Sequence, residues 1–103
     1  MRRNSLWTAL LVLQSQQVLV QQLLQVQQDD KFYSEAYEWR YGTEGSIQHL
    51  FGMNISQRFY KAGNSLSHGK DSRLLDELAA KLSELRRLSD EFKTGELLLP
   101  FDL

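Results

Sequence analysis

The sequence predicts an all-α domain: a three- or four-helix bundle with a long uncharged N-terminal helix and a leucine-seamed C-terminal helix. Three observations carry this prediction. A Leu/Gln-rich run from Leu6 to Gln28 contains neither Gly nor Pro, aromatic residues follow at helical spacing, and a leucine stripe of helical period begins at Leu75. With 103 residues the chain has room for one domain, 1–103. Its composition shifts sharply enough to divide it into 1–28, 29–69 and 70–103.

The first stretch carries Arg2 and Arg3 and then no charged side chain until Asp29, a run of 25 residues holding eight glutamines. On a helical wheel Leu6, Leu10, Leu13, Val20 and Leu24 cluster on one face. Trp7, Leu11 and Val18 fall on a second face, and Val12, Leu19, Leu23 and Val26 on a third. Apolar surface left in water costs about 25 cal/mol per Å², so a helix of this kind is expected to be buried on several sides, inside a bundle or between subunits. A membrane span is disfavoured because each of the many amides is costly to leave unpaired in hydrocarbon. A secretory signal has Arg2 and Arg3 as a basic start, Leu6 to Leu13 as an apolar run and Ser15 as a cleavage position, but Leu13 stands where a small residue is preferred. Membrane-surface association stays as an alternative, although the polar face lacks Lys and Arg. The preferred reading is a soluble buried helix whose glutamines hydrogen-bond laterally to other chains or to water.

In the middle stretch a helix is expected from about Asp30 to Tyr41. Phe32, Ala36 and Trp39 lie near one face of it and Tyr33, Tyr37 and Tyr41 near another, with Gly42 as its stop. Asp29 and Asp30 serve as N-cap or as solvated charges within a longer helix. Core packing is the first explanation of the aromatic stripe. The second is an interface, because Tyr37, Trp39 and Tyr41 beside Arg40 are the residue types that dominate binding energy where partners meet. Gly42 to Gly45 is expected to turn and Ser46 to Phe51 to make one short helical turn. This glycine pair lacks the following Gly-Lys-Ser/Thr of a phosphate-binding loop. Asn54 and Gln57 form a capping box that starts a helix with Ile55, Phe59 and Tyr60, ending at Gly63. The triplet Asn54, Ile55, Ser56 also fits an N-glycosylation acceptor, which ranks second to the capping role. Gly63 to Gly69 has loop composition.

The last helix is expected over about Ser72 to Lys93. Leu75, Leu78, Leu82, Leu85 and Phe92 follow a heptad seam with Ser89 in the missing position, widened by Leu74 and Leu88. Asp71 or Ser72 is the expected N-cap, and Gly95 the left-handed stop. Glu77 with Lys81, Arg86 with Asp90 and Arg87 with Glu91 are expected as ion pairs on the outer surface. The seam is either a coiled-coil partner face or packing within the chain. Beyond it Pro100 forbids helix, so the apolar tail with Leu98, Leu99 and Phe101 is read as a strap over the core or a docking peptide.

Little in the sequence points to chemistry. The absence of cysteine excludes a disulfide scaffold, a thiol nucleophile and Cys-based metal sites. His49 and His68 have no second ligand at i, i+4, and Ser46, Ser56, Ser65 and Ser67 lie in no nucleophile-elbow context. No catalytic, cofactor or metal residue is therefore predicted, and the protein is expected not to be an enzyme. Arg58, Lys61, Lys70 and Arg73 form a modest basic patch that invites comparison with helix-turn-helix proteins. A net charge of -1 and the lack of clustered base-reading side chains disfavour nucleic acid as the partner. The expected function is that of a structural or adaptor subunit, a homo-oligomer or part of a larger complex, acting through helix-mediated assembly. Its expected interface residues are Leu75, Leu78, Leu82, Leu85 and Phe92, then Tyr37, Trp39 and Tyr41, and Leu98, Leu99 and Phe101. A site inside the cell or within a larger particle is favoured. The rivals are a small nucleic-acid-binding regulator and a secreted or membrane-associated protein with an N-terminal signal.

Overall fold

A computed structural model describes residues 2–26, 29–63 and 71–97 as four helices: α1 (Arg2–Leu23), α2 (Asp30–Phe51), α3 (Met53–Lys61) and α4 (Asp71–Thr94). The all-α class and the bundle are as expected, and four is the helix count. The molecule measures 42 × 22 × 19 Å, long in one direction because three of the helices run for more than twenty residues. α1 packs against both α2 and α4, and α3 closes the bundle between α2 and α4.

α1 turns its Leu13 and Val20 face inward, together with Val12 and Leu23 of the third face. Ala9, Leu13, Val20 and Leu23 are buried, with Leu10, Val12 and Leu24 packed against them. The helix ends at Leu23 rather than near Gln28, and Leu24 to Val26 form a turn. Two glutamines tie it laterally, and both do so within the chain. The Gln16 backbone carbonyl accepts from Trp39 Nε1 at 3.0 Å, while its side-chain Oε1 accepts from Thr43 Oγ1 at 2.8 Å. Gln17 Nε2 donates to Ser89 Oγ on α4 at 2.9 Å. The Gln16 contacts lock α1 and α2 as an antiparallel hairpin, and the Gln17 contact explains the polar residue in the α4 seam.

α2 begins as one of the two expected alternatives: Asp29 is its N-cap, accepting from the Phe32 amide at 2.9 Å. It does not end at Gly42. The helix continues through Gly42 and Gly45 to Phe51, so the expected turn and separate short helix are a single element. Two helical glycines cost about 1 kcal/mol each relative to alanine. That cost is outweighed because Phe32, Ala36, Trp39, Thr43, Ile47 and Leu50 are all buried on one unbroken stripe, and each large apolar member contributes about 1.5 to 3 kcal/mol. The break comes at Gly52, with φ +97°, whose amide donates to Gln48 O and whose carbonyl starts α3 by accepting from Ser56 N. The capping box at Asn54 is therefore not formed. Asn54 is exposed in the first turn, and the N-cap is Gly52, which has no side chain to offer.

α4 follows the expected seam closely. Leu78, Leu82, Leu85, Leu88 and Phe92 are buried, with Leu74 and Leu75 packed against the core. Gly95, with φ +85°, ends the helix as anticipated, and the Leu97 amide then folds back onto Glu91 O at 3.0 Å, burying Leu97. α4 is already helical at Asp71, so Asp71 and Ser72 stand in its first turn rather than ahead of it as the expected N-cap, and the tail from Leu98 onward lies outside the described residues.

The Glu77–Lys81 pair forms, but it is buried rather than on the outer surface. Glu77 Oε2 lies 2.8 Å from Arg40 Nε and 3.2 Å from Lys81 Nζ, with the Glu77 side chain fully enclosed and that of Lys81 nearly so. These are ion pairs rather than directed hydrogen bonds, and Oε1 has no hydrogen-bond partner among the described residues. Lys81 Nζ donates instead to the carbonyls of Tyr60 at 3.0 Å and Ala62 at 2.7 Å, which cap the last turn of α3. Burial pushes the Lys81 ammonium below its ordinary pKa, and the charge of Glu77 opposes that shift. Gly63 packs against the backbone of Glu77 and the side chain of Ala80. A Cβ there would stand 2.8 Å from Glu77 Cα, and its φ of +75° is left-handed.

Candidate interaction surface

With the bundle closed, the Trp7 face of α1 and part of its third face remain to be accounted for. The inward face has been described. The outward face, Trp7, Leu11 and Val18, is exposed at 65%, 54% and 51%, and Leu19 and Val26 of the third face are each about half exposed. Spacings of 4 and 7 place Trp7, Leu11 and Val18 in one line along the helix, opposite Leu13 and Val20. Thr8, Gln14 and Ser15 are the exposed polar residues between Trp7 and Val18, and Gln22 and Gln25 follow, so the strip mixes apolar and neutral polar side chains and carries no charge. A shallow depression runs along its middle, bounded by Leu11, Ser15, Val18, Leu19 and Gln22.

A deeper groove of about 630 Å³ opens beside the strip, between α1 and α2. Leu19, Leu23 and Val26 form one wall, and Trp39, Gly42, Thr43 and Ser46 the other. Glu35 and Glu38 stand at its edge. The groove exists because α2 presents small residues there: a side chain built at Gly42 would find no atom within 4 Å. Gln16 and Gln22 also line it, so the groove is of mixed character, with polar groups from both helices beside the apolar wall of α1.

Across the bundle α2 exposes a second aromatic feature. The Tyr37 and Tyr41 rings lie 4.7 Å apart with their hydroxyls 3.1 Å from one another, and the Arg40 guanidinium sits 5.9 Å over the Tyr37 ring. The hydrogen bond to Tyr37 raises the Tyr41 pKa, because ionising one hydroxyl leaves the other facing a negative charge. Both tyrosines are more than half exposed.

The structure separates the expected interface residues into three groups. Leu78, Leu82, Leu85 and Phe92 lie in the chain's own core with Leu75 packed on it, which is the intramolecular alternative, and Trp39 is buried against Phe59 with its indole N–H engaged by Gln16. Tyr37 and Tyr41 stand on the surface. Leu98, Leu99 and Phe101 lie outside the described residues. The α1 strip was not among those expected interface residues, although the wheel had already grouped Trp7, Leu11 and Val18. Its signal was the absence of charge over a helix whose inner face alone suffices to close the core.

Arg58, the centre of the expected basic patch, is tied down. Its guanidinium grips Glu91 with two hydrogen bonds of 3.0 and 2.8 Å and reaches Glu84 at 2.8 Å, so α3 is clamped to α4. Those bonds raise the Arg58 pKa and hold the Glu91 carboxyl below its ordinary range. Arg87, expected to pair with Glu91, leans to Glu84 at 3.6 Å instead. His49 is exposed in the last turn of α2, and among the described residues no group of three or more His, Cys, Asp or Glu is placed to hold a metal ion. Nor is any helix among the described residues long and apolar enough to cross a membrane. Comparison with protein-family models, with curated proteins and with solved structures finds no match to this chain.

Proposed function

We propose that this protein is a non-enzymatic structural or adaptor subunit that works by helix-mediated assembly with another protein surface. The observation that carries the reading is the outward strip of α1. Trp7, Leu11 and Val18 stay more than half exposed on a helix whose inner face already completes the core. With Leu19 and Val26 they make five large apolar side chains on one helix that are each about half exposed or more, and grouped exposed apolar residues mark interaction sites. Such a patch, flanked by amides and lacking charge, has the composition of an interface core rather than of a solvated surface. The exposed Tyr37, Arg40 and Tyr41 cluster supplies residue types that anchor interfaces and offers a second point of attachment.

The test is native mass spectrometry of the full chain purified from its own host. The reading predicts a defined homo-oligomer or hetero-complex, and it predicts that Leu11→Glu together with Val18→Glu releases the 12.0 kDa chain as a folded monomer. A wild-type chain recovered only as a monomer, at every concentration and without any retained protein, is the contrary result.

A further inference from the structure

We infer that the α1–α2 groove receives an amphipathic helix of a different protein, which lays an apolar side chain over Gly42 and sets a lysine or arginine against Glu35 and Glu38. The inference rests on the assembly reading above and gives the partner its chemistry.

Three observations select this occupant. The first is charge. α1 lines the groove with Gln16, Leu19, Gln22, Leu23 and Val26, and no charged residue occurs between Arg3 and Asp29. The charges that line it therefore come from α2, and both are carboxylates, Glu35 and Glu38. They stand three residues apart on one helix, where like charges repel. Lys31 approaches Glu35 at 3.8 Å from an exposed position, and among the described residues Glu38 has no cation within ion-pair distance. From Asp29 to Glu38 the chain carries four acidic residues against one basic. A partner with the same acidic rim is repelled here, whereas one with a basic flank is steered in and relieves the repulsion between the two glutamates.

The second observation is shape. Gln16 to Val26 on α1 and Glu35 to Ser46 on α2 each run for about 15 Å, close to three helical turns. The lining residues all belong to these two helices, and α3 and α4 contribute none among the described residues. Two antiparallel helices open on one side form the seat that a further helix takes in a bundle.

The third is the order of residues along the seat. Glu35, Glu38, Gly42 and Ser46 follow one another at spacings of 3, 4 and 4, so the acidic end of the stripe gives way to small residues. A side chain built at Gly42 would meet no atom within 4 Å, which leaves room there for one supplied from outside. Glu38 lies about 6 Å along the axis from Gly42, so the apolar and basic residues of the partner stand three or four positions apart on its own helix. Leu19 and Val26, each about half exposed, belong both to the groove wall and to the exposed apolar surface of α1, so the two surfaces are continuous.

The probe is a synthetic peptide of about five helical turns, long enough to hold a helix, with leucine along one face and lysine beside it. Its counterpart carries glutamate in place of every lysine. Added to the full-length chain, the lysine peptide is expected to bind and to shift the backbone amide resonances of Gly42 and Ser46, leaving those of Tyr37 and Tyr41 in place. Glu35→Gln with Glu38→Gln weakens that binding by about tenfold or more and flattens its dependence on salt. Gly42→Leu weakens it as well, whereas Gly45→Leu, exposed on the same helix but outside the lining, does not. Circular dichroism melting of each variant separates lost binding from lost folding. Failure of the lysine peptide to bind, equal binding of the glutamate peptide, or binding that leaves Gly42 and Ser46 unmoved overturns the inference. So does a complex from the native host that survives Glu35→Lys with Glu38→Lys, and in that case the assembly reading stands.

Discussion

Lys81 Nζ on α4 lies 2.7 Å from the carbonyl oxygen of Ala62, so a buried ammonium on one helix caps the C-terminus of another while pairing with Glu77 one turn away on its own. The free α3 carbonyls and the helix dipole both favour a cation there. Lys81→Met removes the donor from Tyr60 and Ala62 and leaves Glu77 to Arg40 alone. Breaking a buried pair in this way is expected to cost about 3 to 5 kcal/mol, measured by urea unfolding. Adding Glu77→Leu should recover part of that loss, because the stranded carboxylate is gone, but not all of it, because the two carbonyls still lack their donor.

The glycines should respond in opposite directions. Gly42 and Gly45 sit inside α2 with open space where a Cβ would go, so Gly42→Ala and Gly45→Ala should each stabilise by about 0.5 to 1 kcal/mol. Gly52 and Gly63 both have positive φ, where a side chain costs about 1 to 2 kcal/mol, and at Gly63 the Cβ would also collide with the backbone of Glu77 and the Ala80 side chain. Thermal melts of the four alanine variants should therefore rank Gly42 and Gly45 above wild type, Gly52 below it and Gly63 lowest.

Acid should loosen α3 from α4. Pairing with Arg58 holds the folded pKa of Glu91 below its ordinary value of 4.5, so the stability from this contact is fully present above that value and is lost as pH falls through the folded pKa. Both groups are partly exposed, which keeps the contribution modest: Arg58→Ala should cost about 1 to 2 kcal/mol at neutral pH. In a titration of melting temperature from about pH 6 down to about pH 2, the variant should show a shallower fall than wild type. Parallel curves would remove the clamp from the account.

The places where the sequence was legible share a physical cause, and so do those where it was not. The α4 seam could be read because leucine recurs at core positions on a helix whose other faces are charged, and Gly95 ended it where a left-handed residue was needed. α2 was harder because Thr43 occupies a core position and two glycines stand beside it. Only the Gln16 side chain, more than twenty residues away, satisfies the buried hydroxyl and makes the stripe from Trp39 to Ile47 continuous. A capping box at Asn54 is a local signal, and it lost to Gly52, whose carbonyl starts α3 two residues earlier. Glu77 and Lys81 read as a solvated i, i+4 pair because nothing local reveals that Arg40 and the end of α3 will pack against them. Of the interaction surface, the tyrosines were visible by residue type. The α1 strip required knowing which of three apolar faces the core would take.

The central claim is that the outward face of α1 is covered by a second protein surface in the working protein. Native mass spectrometry of the full chain purified from its own host, compared with the Val18→Glu variant, tests it most directly. Val18 is half exposed, so the substitution spares the core and the melting temperature should stay within a few degrees of wild type. The account predicts a wild-type homo-oligomer or hetero-complex that the glutamate weakens by about tenfold or more. Wild-type and variant chains both recovered as bare monomers, with no retained protein at any concentration, would contradict it.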